Sequence, residues 1–267
     1  APNSGSTMLA LSFPNGDAAA ALDYHFDLSA LTVAADDVWV GFWWNNANQD
    51  DSDYGNVFVS TDAGSTWTAS IYRFDFSMPV PEGWQWVLVN MSDALAAEGS
   101  EFSSEMVVRF QGGGSEPLEA DGLLIDDVFV GRAQETLVDR DGNPIADEGT
   151  DDAGQLMVGA NTLTYTITNG GDLDLDVDAG SFAFANENNV SNVSITPPAS
   201  TTLAPSDTTT FEVSFDADTP GMPYSLEVSF TSNDPRQTDA IYNYAISGDV
   251  VDGGMGGMGG GGMGAGG

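Results

Sequence analysis

The chain has 267 residues, room for two ordinary domains, and 41% of them are hydrophobic, enough to build real cores. Acidic residues outnumber basic ones 41 to 5, for a net charge of −36; such a surface repels nucleic acid and anionic lipid and excludes both as partners. There is no cysteine and a single histidine, His25, which excludes disulfides, thiolate nucleophiles, iron–sulfur clusters and His/Cys metal centres.

No apolar run approaches the roughly 20 residues a membrane helix needs, so no membrane insertion is expected. The chain starts Ala1-Pro2, and the expectation is a mature secreted chain or a fragment. The plainest account of the charge is the solvated surface of a marine or halophilic protein. All five bases are arginines: Arg73, Arg109, Arg132, Arg140 and Arg236.

Period-two alternation governs the first half. His25 sits in the strand-like run "LDYHFDLS", where a plain strand histidine is expected. "DVWVGFWW" puts Val38, Val40, Phe42 and Trp44 on one face. "NNANQDDSDYG", with Asp50, Asp51 and Asp53, reads as a loop. "NVFVSTD", "WQWVLVNM", "EMVVRFQ" and "LLIDDVFVG" continue the strands, separated by Gly, Asn and Asp clusters. "MSDALAAEG" is the one helical turn, with Ser92 or Asp93 as N-cap and Gly99 as stop. "STDAGSTW" matches an Asp-box, a hairpin in which Asp62 takes turn amides, Gly64 supplies positive φ and Trp67 covers the base. Trp39 and Trp43 share one strand face and Trp84 and Trp86 another. A sandwich core needs large inward residues, so core is the favoured reading; exposed, these rings would stack on sugars.

Residues 134–153 are acidic and turn-rich and open a second unit. "NTLTYTITN" turns Leu163, Tyr165 and Ile167 inward. "LDLDVD", "TTTFEVSF", "YSLEVSF" and "AIYNYAISGDV" repeat the alternation. The spacing predicts an all-β chain of two antiparallel β-sandwich domains, 1–133 and 134–252, followed by a Gly/Met-rich tail over 253–267. The tail holds eleven glycines, three methionines and one alanine. A collagen helix is excluded there, because the Gly-Gly-Met period breaks and no proline occurs. Three methionines are a weak soft-metal signal for Cu(I).

The run "STDAGSTW", "WQWVLVNMSDALAA", "MVVRFQ" and "DGLLIDDVFVG" resembles the MAM-like jelly-roll domains of secreted bacterial proteins, over roughly residues 5–131. Those domains open with a strand before the stretch matching "GSTMLALSF", so the resemblance implies a missing opening strand and an unfilled sheet edge. "LTYTITNGGDLDLDV", "ITPPASTTLAPSDTTTFEVSF" and the turn Phe230–Pro235 resemble the HYDIN/ASPM-type, choice-of-anchor D-like immunoglobulin domains of surface proteins. That resemblance implies a spacer or adhesion module without catalytic residues. The tail is similar to chain ends left by Gly-Gly sorting signals.

Calcium is the cofactor to expect, if any. Asp126 and Asp127 form a like-charged pair in an apolar strand, where alternation sends one carboxylate toward the core, and jelly-roll relatives coordinate Ca²⁺ near this strand. A second candidate is Asp139, Asp141, Asn143 and Asp147, at positions 1, 3, 5 and 9 of an EF-like loop, although glycine falls at position 4 and Thr150 at position 12. Asn90, Asn189 and Asn192 begin N-x-Ser sequons. No spaced glutamate pair of the glycosidase kind stands on a strand, so no enzyme is expected.

The reading is a secreted, extracellular or cell-surface structural protein that assembles with itself into a filament, matrix or surface layer through its terminal segments. A monomeric adhesin or carbohydrate-binding module, with glycans as partners, is the alternative.

Overall fold

The computed structural model describes residues 8–11, 20–47, 54–74, 76, 83–113, 122–237 and 241–252. The chain divides after Ala133 into two compact units.

The first unit has strands β1 (Leu9–Leu11), β2 (Ala20–Phe26), β3 (Val38–Ala47), β4 (Tyr54–Ser60), β5 (Tyr72–Phe74), β6 (Gln85–Asn90), β7 (Met106–Gly113) and β8 (Gly122–Arg132). Antiparallel pairs join β1 to β8, β2 to β7, β3 to β6 and β4 to β5, as in one long ribbon folded on itself. Rolled up, the ribbon gives two sheets, β1-β8-β3-β6 and β2-β7-β4-β5. This is the strand order of a jelly roll. The core follows from the alternation in β3, whose Val38, Val40 and Phe42 are fully buried and Trp44 nearly so. The Phe42 ring meets Phe110 of β7 edge-on, with centroids 4.9 Å apart.

The strand expected ahead of "GSTMLALSF" would fall before Gly5, outside the described residues. Within that stretch Leu9, Ala10 and Leu11 form β1 and pair with Ile125, Leu124 and Leu123. Leu11 is buried and Leu9 packs on the same core. The tail, 253–267, lies outside the described residues, as do Asp50, Asp51 and Asp53.

Helix α1 (Met91–Ala97) starts two residues earlier than a Ser92 cap would set it. Asn90 is the N-cap, its Oδ1 accepting from the Asp93 amide at 2.9 Å. Ser92 is unavailable for capping: its hydroxyl accepts from the Val38 amide and donates to the Asp36 carbonyl. Gly99, at φ +65°, ends the helix.

The Asp-box closes as a turn after β4. Asp62 accepts from the Thr66 amide, the Thr66 hydroxyl and the Ser60 hydroxyl at 2.8, 2.7 and 2.7 Å. Gly64 takes φ +88°, and the Arg109 guanidinium lies 4.0 Å over the Trp67 ring. The Thr66 amide first, then the two hydroxyls, hold the Asp62 carboxyl down at about 2. Its folded value lies below its unfolded one, so the turn's contribution to stability is full above the ordinary carboxylate range. That contribution fades as pH falls through about 2. A carboxyl-carbon NMR titration should give Asp62 a midpoint near 2, and the Ser60→Ala, Thr66→Val double variant should raise it only part of the way to the free value, because the Thr66 amide still donates.

The second unit has β9 (Thr136–Arg140), β10 (Asn143–Ile145), β11 (Gly149–Met157), β12 (Gly159–Asn169), β13 (Leu175–Asp176), β14 (Ala183–Asn188), β15 (Val190–Thr196), β16 (Thr202–Leu203), β17 (Thr208–Ala217), β18 (Pro223–Thr231) and β19 (Ile241–Val251). One sheet runs β10-β9-β12-β17-β15 and the other β11-β19-β18-β14. Taken as A-B-E-D against G-F-C, this is the immunoglobulin order. One pairing departs from antiparallel. The chain changes sheets after β10, so β11 runs parallel to β19. The core is aromatic: Tyr165, Tyr224, Tyr244, Phe211 and Phe230 are all 0–1% exposed.

Candidate functional site

The register of the first sheet separates two faces. Trp43 stands opposite Trp86, Gly41 opposite Leu88 and Trp39 opposite Asn90. On the other side, Gly41 stands opposite Phe129 and Trp39 opposite Gly131. Directly opposed residues share a face, and these alternate with the core-facing Val38, Val40, Phe42 and Trp44. Trp39, Trp43 and Trp86 therefore lie on the outer face of the roll. The core reading holds for Trp44 alone among the β3 tryptophans, because a run of three aromatics in "FWW" must send alternate rings outward.

These outer rings are organised. Trp43 and Trp86 lie 5.7 Å apart between centroids, tilted by 50°. Trp86 is 38% exposed. Its indole crosses the space above Gly41, where an added Cβ would come within 2.6 Å of two ring carbons. Glycine at 41 is thus what lets Trp86 lie down. The Trp39 indole N–H is buried without a hydrogen-bond partner. β6 itself, "QWVLVN", carries no charge, and Val87 and Val89 pack on the core. Around Trp86 and Leu88 the face is apolar, on a chain of net charge −36. Its nearest acid on β8 is Asp126, opposite Trp43.

The expected metal residues do not gather. In β8 a bulge sets two residues against Phe42, and Asp127 takes it up at φ +47°. The bulge breaks the alternation, leaving Asp127 exposed and Asp126 half-buried, so neither carboxylate is driven into the core. Asp126 accepts from the Asp127 amide at 3.0 Å. The EF-like run is a hairpin: Asp141 and Gly142, at φ +56° and +78°, form the two-residue turn between β9 and β10. Asp139 accepts from the Gly142 amide, and Asn143 donates to the Arg140 carbonyl. Asp147 instead binds the Asn243 and Glu148 amides. Asp139 and Asn143 thus brace the β9–β10 turn, and Asp147 is used elsewhere. Among the described residues no three acidic or histidine side chains form a group fit to hold a metal.

The three sequon amides are all engaged. Asn90 caps α1 and donates to Asp37. Asn189 holds the Thr219 backbone in both directions, and Asn192 donates to Asp216. His25 lies exposed on the edge strand β2.

The second unit has an open cleft of about 470 Å³ bordered by Leu137, Pro144, Ile145, Asp147, Arg236 and Tyr242. Its charges are already paired. Arg236 binds both oxygens of the buried Asp234 and one of Glu135, and Asp234 also accepts from the Thr136 amide. The "FTSNDP" turn is thus an anchor for β9.

No family model and no curated protein matches the sequence. Among solved structures, a protein of unknown function from Porphyromonas gingivalis W83 is 12% identical, with TM-score 0.32, over 90% of this chain and 96% of that one. The VesB protease of Vibrio cholerae is 11% identical, with TM-score 0.28, over 77% of this chain and 63% of its own. The C-terminal domain of the antigen I/II-family protein AspA of Streptococcus pyogenes is 10% identical, with TM-score 0.20, over 90% and 95%. At these scores none of them bears on what this chain does.

Proposed function

We propose that this is a non-enzymatic structural protein of the cell exterior, a subunit that associates with further copies of itself through the outer face of its jelly roll. One observation carries the reading. On a chain charged to −36, the outward Trp43–Trp86 pair and Leu88 form an apolar patch, and β6 beside it carries no charged residue. Exposed apolar patches rimmed by polar residues mark interaction sites. Like-charged subunits meet most readily where neither brings charge. Calcium, through Asp126 and Asp127, belongs to this reading only as a general counter-ion to the acidic surface.

A second reading has support from Trp86, which is exposed enough to stack on a sugar ring. It makes the protein a monomeric adhesin or glycan-binding module. Sedimentation velocity separates the two. Screening shortens the reach of repulsion from about 30 Å in 0.01 M salt to about 3 Å in 1 M. Association should therefore strengthen steeply with salt. A protein that stays monomeric in high salt and shifts on a glycan array would replace the first reading by the second.

A further inference from the structure

The sheet edges of this protein are unequal. In the second unit β10 is three residues long, and β11, β14 and β15 each carry a register break. The breaks sit at residues with positive φ: Gly154, Asn186 and Asn192. Short or bulged edges resist pairing with other chains. In the first unit β1 and β5 are also three residues long. β2 is longer but carries Asp23, tied to Arg109 at 2.7 Å, and His25.

β6 has none of these defences. It ends the order β1-β8-β3-β6, and among the described residues no strand pairs with its outer side. Its six residues, Gln85–Asn90, include no charge, no proline and no glycine, and pair with β3 without a register break. Such a segment is a template for strand addition.

Resting on the self-association reading, we propose that β6 pairs antiparallel with β6 of a second copy about a two-fold axis. Self-complementary pairing requires residues of one face to meet residues of the same face. An axis at Leu88 satisfies this: Leu88 meets Leu88, Val87 meets Val89 and Trp86 meets Asn90. The two four-stranded sheets become one of eight strands, and both Trp43–Trp86 pairs lie on its outer face. No titratable group lies in the paired segment, so the contact sets no like charges opposite each other, as it would at β2 with its Asp23. Each chain contributes the same strand, so the contact makes dimers. A second surface must extend them into any polymer.

The test uses the full chain in high salt. Leu88→Lys places two ammonium groups on the axis and should weaken dimerisation at least about tenfold, with far-UV circular dichroism unchanged. Met157→Lys, an exposed methionine in the second unit, serves as control and should change nothing. Hydrogen exchange on the unaltered protein gives an independent readout. Alternate β6 amides should become protected as concentration rises. A protein that associates while Leu88→Lys and β6 exchange show no effect overturns the β6 contact and leaves self-association standing. A wild-type protein monomeric at every concentration overturns both.

Discussion

Asp151→Ala should unfold the second unit about 3–5 kcal/mol more easily, the largest effect expected of any single substitution here. The Asp151 carboxylate accepts from Arg140 Nε and Nη2 at 2.7 and 2.9 Å and from the Tyr165 hydroxyl at 2.8 Å. Arg140 lies on β9 and Asp151 on β11, so this cluster fastens the two sheets together. The Asp151 and Arg140 side chains are only 7% and 18% exposed. Removing the acid therefore leaves a buried phenol without its acceptor, and leaves the guanidinium only its longer bonds to Asp141 and to the Asp152 carbonyl, at 3.3 and 3.2 Å. Urea unfolding can read this unit separately, because all six tryptophans lie between residues 39 and 86. The far-UV transition should shift while the tryptophan fluorescence transition stays in place. The same cluster responds to base. Burial first, and then the Asp151 charge, push the Tyr224 hydroxyl up to about 12. A raised phenol stabilises the fold fully below pH 10, and that stability is lost as pH rises through about 12. In Asp151→Ala the Tyr224 titration should move down.

Asn169→Ala comes next, at roughly 3–4 kcal/mol. The residue is fully buried at the end of β12. Its Oδ1 accepts from the Gly171 amide at 2.9 Å and the Glu135 amide at 3.3 Å, and its Nδ2 donates to the Leu173 and Leu203 carbonyls at 2.7 and 3.0 Å. One side chain thus ties together four backbone groups from three stretches of chain. Alanine strands those groups away from water, at about 1–3 kcal/mol for each buried group left unpaired, and the terms do not simply add. Asn169→Asp tests the hydrogen-bond account separately. It restores the acceptor but not the donors, so it should lie no closer to wild type than alanine does. A loss below about 1 kcal/mol for alanine would mean that water replaces the amide.

Alternation made both sandwiches legible before the structure, because a half-buried strand must alternate, as Val38–Val40–Phe42–Trp44 do. Long-range pairing was less legible. No local pattern reveals that Leu9–Leu11 closes beside β8, or that β11 turns parallel to β19. Backbone conformation keeps the metal candidates apart. Asp127 and Asp141 both take positive φ, and a bulge or a two-residue turn redirects side chains that spacing alone brings together. The Asp-Gly pair at 141–142 was the available signal, since Asp-Gly between strands marks a tight hairpin. Asn169 and Asp151 escaped notice because nothing local distinguishes a buried polar hub from a surface Asn or Asp. The outward tryptophans were half legible. "DVWVGFWW" separates the faces, but only the Gly41–Trp86 approach shows why a bulky ring can lie flat on the outside.

The most direct measurement uses the absence of cysteine. A single Leu88→Cys substitution puts one thiol per chain on the proposed two-fold axis, where opposed Cβ atoms lie about 4.5–5.5 Å apart, near disulfide range. Mild oxidation of the 267-residue chain in high salt should yield a covalent dimer within minutes. Met157→Cys, treated identically, should stay monomeric. Equal or faster crosslinking at 157 than at 88, or none at 88 in a protein that sediments as a dimer, would contradict association through β6.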